Sequence, residues 1–220
     1  MAVFIASFGP IKPAALLGIN SLFPLTQEQA KDALRSMHKE RFNTDLTDPD
    51  QFLSLFRLQN YDEGEHWIQA GDIAQDTCFI ANGLFRVYYI DQAGNEVNQH
   101  FYQANEMIAP VSVMLNNEPC QYYVQALEPS QVLLANFNSL YEVGKDNPEW
   151  LRLENKILQT VFLKTAKREA KLLLGNGEQR YKWFLKEYPE LAEKLPQYHI
   201  ASFLGLTPVS LSRLRKKMGG

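Results

Sequence analysis

Only two cysteines, Cys78 and Cys120, occur in 220 residues. Neither has a second cysteine or a histidine at ligand spacing, which excludes a disulfide framework and a zinc knuckle. The four histidines, His38, His66, His100 and His199, are scattered and no His-x-His occurs. A metal-dependent oxygenase, which needs two histidines and a carboxylate on one ion, finds no support. There is no serine nucleophile elbow and no glycine-rich phosphate loop. No apolar run is long enough to span a bilayer. The apolar start, "MAVFIASFGPIKPAALLGIN", has no Lys or Arg before Lys12 and is broken by Pro10 and Pro13, so it is not read as a secretion signal. The expectation is a reduced, cytoplasmic chain that is not an enzyme, carries no metal or cofactor, and has no membrane partner.

Positive charge is scarce in the first two thirds. Residues 1–150 hold 8 Lys/Arg against 19 Asp/Glu, a net of −11, whereas residues 151–220 hold 14 against 6, a net of +8. An acidic front and a basic back imply two units with different partners, the second suited to a polyanion. The 45% hydrophobic content is ample for a packed core.

Residues 26–38 read as a helix, with Thr26 as N-cap and Gln29 three residues on. Residues 49–56 add a short second helix. From Tyr61 to Phe137, short runs of Ile, Val, Phe and Tyr alternate with turn signals, and Gly64, Gly71, Gly83 and Gly94 recur at strand-plus-turn spacing. That texture predicts an antiparallel sandwich or jelly roll, with a hairpin about Asp91-Gln92-Ala93-Gly94. From Glu149 to Leu174 there is no Gly or Pro, and Leu151, Leu158, Thr165 and Leu172 repeat every seven residues. A helix of about 37 Å is expected there, with a seam that packs on its own domain or on a second copy. Gly175-Asn176-Gly177 ends it, and residues 178–188 and 197–218 are helical again.

The most specific signal is Gln197–Leu214, "QYHIASFLGLTPVSLSRL". Two helices that cross at a tight turn need a small residue at their contact, here Ala201, and a residue at ease with positive φ in the turn, here Gly205. Ile200, Leu204, Leu206, Leu211 and Leu214 pin them together. Thr207 then caps the second helix, with Pro208 at its first position. This is a helix-turn-helix pattern, and its outward face carries Val209, Ser210, Ser212, Arg213, Arg215, Lys216 and Lys217. The expected partner is double-stranded DNA. Arg213 is placed to fork onto guanine. Thr207, Ser210 and Ser212 are placed to reach phosphates, and Arg215, Lys216 and Lys217 to supply salt-dependent attraction. Pro208 and Val209 offer only apolar contact, to a thymine methyl.

Together, "IANGLFRVYYIDQAGNEV", "EPCQYYVQALEPS" and the helix-turn-helix resemble the cyclic-AMP receptor protein and fumarate-nitrate regulator family of bacterial transcription factors, over residues 24–218. The resemblance implies an α+β fold. An N-terminal arm (1–24) leads to a cyclic-nucleotide-binding-like β-roll or jelly roll (25–146). A long dimerisation helix (147–174) and a C-terminal helix-turn-helix domain (175–220) follow. It implies a homodimeric regulator of transcription, with duplex DNA, a second copy, RNA polymerase and an unidentified small-molecule effector as partners. The family often adds a β-hairpin wing after the recognition helix; here the sequence runs only to Gly220, so fewer phosphate contacts are expected.

The resemblance also locates a ligand pocket and shows it altered. The family grips a cyclic nucleotide with a Gly-Glu pair on the ribose and an Arg-Ser or Arg-Thr pair on the phosphate. Ala109-Pro110 stands at the first place and Cys120-Gln121 at the second. An anion buried without a cation is costly, so cyclic AMP is not expected to bind in the usual way. Arg86, on another strand, is the cation that would weaken this reading if it reached the pocket. Glu106 falls four residues early and is expected as a surface turn residue. Iron–sulfur sensing needs about four thiolates, and Cys78 and His100, the candidate haem ligands, are expected to pack in or beside strands. The alternative function is a small-molecule-binding module that signals through protein contacts.

Overall fold

The computed structural model describes residues 24–42 and 49–219, so the expected arm, apart from Pro24, lies outside the described residues. Helix α1 (Gln27–Phe42) begins with the capping box foreseen at Thr26. The Gln29 amide donates to Thr26 Oγ1 (3.3 Å) and Thr26 N–H donates to Gln29 Oε1 (2.9 Å). After α2 (Pro49–Ser54) come eight strands: β1 (Arg57–Tyr61), β2 (His66–Ile68), β3 (Asp76–Asn82), β4 (Leu84–Ile90), β5 (Glu96–Gln103), β6 (Met107–Ile108), β7 (Tyr123–Ala126) and β8 (Ser130–Asn136). Two short helices interrupt and follow them, α3 (Val111–Asn116) and α4 (Phe137–Gly144). The strands form two four-stranded sheets, in the orders β1-β8-β3-β6 and β2-β7-β4-β5. The recorded pairs β1/β8, β2/β7, β3/β6 and β3/β8 are antiparallel.

Glycine is required where β3 turns into β4. Gly83 has φ +114°, and a Cβ there would overlap the Ser130 side chain and approach its Cα to 2.8 Å. The β4–β5 turn is held by Asp91, whose Oδ1 accepts from the Ala93 and Asn95 amides, both at 2.9 Å.

Helix α5 (Pro148–Leu174) is followed by α6 (Gly177–Glu187), α7 (Pro189–Lys194), α8 (Gln197–Phe203) and α9 (Pro208–Lys217). At 27 residues α5 is about 40 Å long. The sequence left α3, α4 and α7 unread. Among the described residues no helix is long and apolar enough to cross a membrane.

The described chain divides into two compact units: residues up to Arg86 with Phe101–Phe162, and Val87–His100 with Leu163–Gly219. In the first, Leu34, Met37, Phe52, Phe56, Phe79, Leu133 and Leu140 form the core, and Val161 of α5 is buried among them. In the second, the β4–β5 hairpin groups with the C-terminal helices around Phe184, Tyr188, Leu191 and Phe203.

Buried His38 makes stability depend on acid. It packs edge-on against Phe52 at 5.7 Å, and burial lowers its pKa from 6.5 to about 4. The unfolded chain therefore takes up a proton in a range where the folded chain does not. This contribution is fully present above pH 6.5 and is lost as pH falls through the window from 6.5 to 4, amounting to about 3 kcal/mol at the lower end. Denaturation across that window should show the loss, and His38→Leu should flatten it. An unchanged acid slope in the variant would remove His38 as its source.

Candidate nucleic-acid interface and ligand pocket

The geometry of the α8–α9 corner follows from small residues and satisfied carbonyls. Ala201 is fully buried at the helix contact, and its carbonyl accepts from the amides of Leu204 (3.1 Å) and Leu206 (2.9 Å). Gly205 takes φ +64°. Thr207 caps α9: its Oγ1 accepts from the Ser210 amide (3.1 Å) and its hydroxyl donates to Ser210 Oγ (2.9 Å). Leu211 is buried beneath.

The corner leaves one face of α9 open. Thr207, Pro208, Val209, Ser212, Arg213, Lys216 and Lys217 are exposed, while Ser210 and Arg215 are half-buried. Val209, Ser212, Arg213 and Lys216 share one helical face, at i, i+3, i+4 and i+7. The hydroxyls of Thr207 and Ser210 are engaged with each other. Lys217 Nζ is bound to Glu178 Oε2 (2.8 Å), and Glu178 also takes Lys182 (2.8 Å). Hydrogen bonds from Lys182 and Lys217 hold the Glu178 carboxyl down at about 2. Of the cations expected on this face, Arg213 and Lys216 stand exposed on its centre.

Three supports of this corner were not legible in the sequence. Arg180 of α6 donates from Nε to Gly175 O (2.9 Å) and from Nη1 to Leu204 O (3.1 Å), tying the end of α5 to the end of α8. Arg168 of α5 lies over the Phe203 ring, 4.7 Å from its centroid. The β4–β5 hairpin meets α8 through polar groups. Asn98 N–H donates to Ser202 Oγ (2.9 Å), and the Ser202 hydroxyl donates to Glu96 O (2.9 Å). Asn98 Nδ2 lies 3.1 Å from His199 Nδ1 and donates to His199 O at 3.1 Å. His100 packs edge-on beside Tyr188 and Phe203. Burial, then Lys164 and Arg168, push its pKa well below the ordinary value.

In the first unit, Ala109 and Pro110 sit between β6 and α3, with Pro110 buried at the helix start. Cys120 is buried and Gln121 exposed. The Cys120 backbone is fixed by Cys120 N–H to Asp72 O and Gly71 N–H to Cys120 O, both 2.8 Å. Burial raises the Cys120 thiol above its ordinary pKa despite hydrogen bonds from the Ala74 backbone and Tyr122. Cys78 is likewise buried and raised. Both sulfurs are neutral thiols at neutral pH.

Arg86 is 5% exposed and donates from Nε to Gln125 Oε1 (2.8 Å), while Gln125 Nε2 donates to Gly64 O (2.9 Å). Gln125 alternates along β7 with fully buried Val124 and Ala126, so Arg86 lies on the sheet face opposite those side chains. Glu106 departs from the expectation of a surface residue. It does lie in the turn before β6, after Asn105 at φ +65°, yet it is only 2% exposed. Its Oε2 accepts from the Gln103 amide (2.8 Å), which folds the carboxylate back under the turn. Among the described residues no three His, Cys, Asp or Glu side chains group as a metal site.

The described chain combines an antiparallel β-roll, a long helix and a C-terminal helix-turn-helix. Residues 58–147 match the family model of the cyclic nucleotide-binding domain. Among solved structures, the fold is similar to CLP, a c-di-GMP responsive global regulator of Xanthomonas campestris, with a TM-score of 0.65 and 14% identity over 77% of this chain and 89% of that one. It is similar to FixK2 of Bradyrhizobium japonicum (TM-score 0.63, 16% identity, 74% and 84% covered). It is similar also to a mutant of CooA from Carboxydothermus hydrogenoformans (0.62, 18%, 82% and 84%). Comparison with curated proteins finds no match.

Proposed function

We propose that the chain is a homodimeric, DNA-binding transcription regulator of the cytoplasm, without enzymatic activity. Its sensor-like β-roll has lost the usual grip on cyclic AMP. The carrying observation is the α8–α9 corner, where a capped helix presents Arg213, Ser212, Val209 and Lys216 on one open face. The N-terminal half of α9 enters the major groove, Arg213 reads guanine, and Lys216 with the last turn draws in the phosphates. In this reading the divisions are the arm to residue 24, the β-roll to 146, the dimerisation helix to 174 and the DNA-binding domain beyond. Duplex DNA, a second copy and RNA polymerase are the partners.

Dimerisation is supported by α5. Trp150, Ile157 and Val161 pack on the β-roll core, while Leu151, Leu158 and Phe162, each one residue on and so about 100° round the helix, are exposed on the adjoining flank. An apolar row on a helix already packed on its own domain suits a second copy.

Loss of the cyclic-AMP grip is supported by the neutral, buried Cys120, the exposed Gln121 and the engagement of Arg86 Nε with Gln125. CLP, described as c-di-GMP responsive, is a fold neighbour, which is consistent with a β-roll of this kind serving an effector other than cyclic AMP. Calorimetry with cyclic AMP should show no saturable binding; a Kd tighter than about 10 μM would overturn this part. For DNA, Arg213→Ala should cost about 1–3 kcal/mol at a preferred site and relax base preference there. Equal affinity and preference in the variant would remove Arg213 as the reading residue.

A further inference from the structure

At the edge of the open α9 face, two lysines are occupied by one acid. Glu178 Oε1 accepts from Lys182 Nζ and Glu178 Oε2 from Lys217 Nζ, both at 2.8 Å, so two cations and one anion leave a net of +1. The acid is placed by α6. Asn176 caps that helix, its Oδ1 accepting from the Gln179 amide (3.0 Å) while its own N–H donates to Gln179 Oε1 (3.0 Å). A Cβ on Gly177 would stand 3.1 Å from Leu206 and 3.4 Å from Leu214. The first turn of α6 is therefore pressed against the α8–α9 corner, and the next residue, Glu178, is delivered to the end of α9. We propose that Glu178 is an electrostatic brake on this interface: it withholds Lys217 and Lys182 from phosphates and so holds down the sequence-independent affinity for duplex DNA. The inference rests on the DNA-binding reading above and adds what limits it.

Lys217 lies one turn after Arg213, at i+4, so the two side chains are neighbours on the helix surface. Phosphates flank any base that Arg213 reads, and an ammonium beside it is within their reach. Each phosphate that a lysine neutralises releases counterions and steepens the salt dependence of binding. A phosphate approaching Lys217 meets the Glu178 carboxylate on the same nitrogen, and two anions on one ammonium repel. Hydrogen bonds from Lys182 and Lys217 hold the Glu178 carboxyl at about 2, and the bond to Glu178 raises the Lys217 ammonium above its ordinary value. The pair is therefore charged at every pH near neutral. Base reading is untouched, because Arg213 has no part in the pair. An acid in the first turn also suits the N-terminal end of a helix. That role alone predicts a loss of stability in a neutral variant and no change in salt dependence.

The test titrates the full chain with a random-sequence duplex at several salt concentrations. Glu178→Gln keeps the shape of the side chain and removes its charge. Affinity should rise about fivefold at about 0.1 M salt, and the slope of log K against log salt should steepen by about 0.9 for each copy of the chain bound. Base preference at a selected site should not change. Adding Lys182→Gln and Lys217→Gln should cancel most of the gain. Lys217→Gln alone should cost less than about twofold, because that lysine is already withheld, whereas Lys216→Gln should cost about fivefold. An unchanged salt slope in Glu178→Gln would overturn the inference. An equal gain from Glu193→Gln, an exposed acid of α7 in the same unit, would overturn it too, since net charge alone would then explain the effect. So would a gain that survives removal of both lysines. Each of these leaves the DNA reading standing; a chain that binds no duplex at low salt would overturn both.

Discussion

Phe162→Asp is expected to leave a folded monomer whose affinity for a two-fold DNA site is lower by at least about a hundredfold. Phe162 is more than half exposed on α5 and contributes nothing to the core that Val161, its neighbour in sequence, helps to fill. An aspartate there is solvated in the single chain and changes its folding stability by less than about 0.5 kcal/mol. In the dimer the same carboxylate would be buried at the seam without a cation, a cost the interface cannot absorb. With the dimer lost, each recognition helix binds one half-site alone, and the gain from linking two sites, about 10²–10⁴, disappears. Sedimentation and duplex titration on one preparation check both halves. A variant that remains dimeric would show that α5 is not the interface.

The second large effect is expected at Arg180. Its guanidinium satisfies the carbonyls of Gly175 and Leu204, each at the end of a helix, where a cation also meets the negative end of the peptide dipoles. Arg180→Ala removes two charge-assisted bonds, a loss of about 3 kcal/mol. Gly205, whose left-handed turn lies beside Arg180 Nη1, loses its brace, and the angle at which α9 leaves α8 is no longer fixed. DNA affinity should fall about tenfold even where the variant is fully folded. Arg180→Lys should not rescue it, because an ammonium cannot reproduce the fork. Denaturant melts and duplex titrations measure the two consequences separately; stability within about 0.5 kcal/mol of the original would contradict the account.

What the sequence disclosed and what it withheld divide by range. The Thr26–Gln29 box, the Gly94 turn, the long helix and the Thr207-Pro208 start of α9 depend on neighbours within a few residues, and such patterns can be read directly. Helices α3, α4 and α7 span only six to eight residues. A run such as Val111–Asn116, with two valines in six positions, carries too little periodicity to separate helix from strand. The seven-residue repeat on α5 is not uniform in exposure. Leu151 and Leu158 are exposed, while Thr165 and Leu172 are half-buried. At the site, the exposure of Arg213 and Lys216 follows from helical period. The engagement of Lys217 by Glu178, 39 residues away, does not. Asn98 and His199 are 101 positions apart, so nothing local marks the hairpin as part of the helical unit. Glu106 failed for the same reason: an acid in a turn is ordinarily solvated, and only the packing around β6 buries it.

Selection from a pool of random duplexes, using the full chain at two salt concentrations, tests the central claim most directly. The account predicts enrichment of a two-fold symmetric sequence with half-site centres about 10 base pairs apart, bound by a dimer, with affinity falling steeply as salt rises. Recovery of no preferred sequence, with binding absent at low salt, would contradict it.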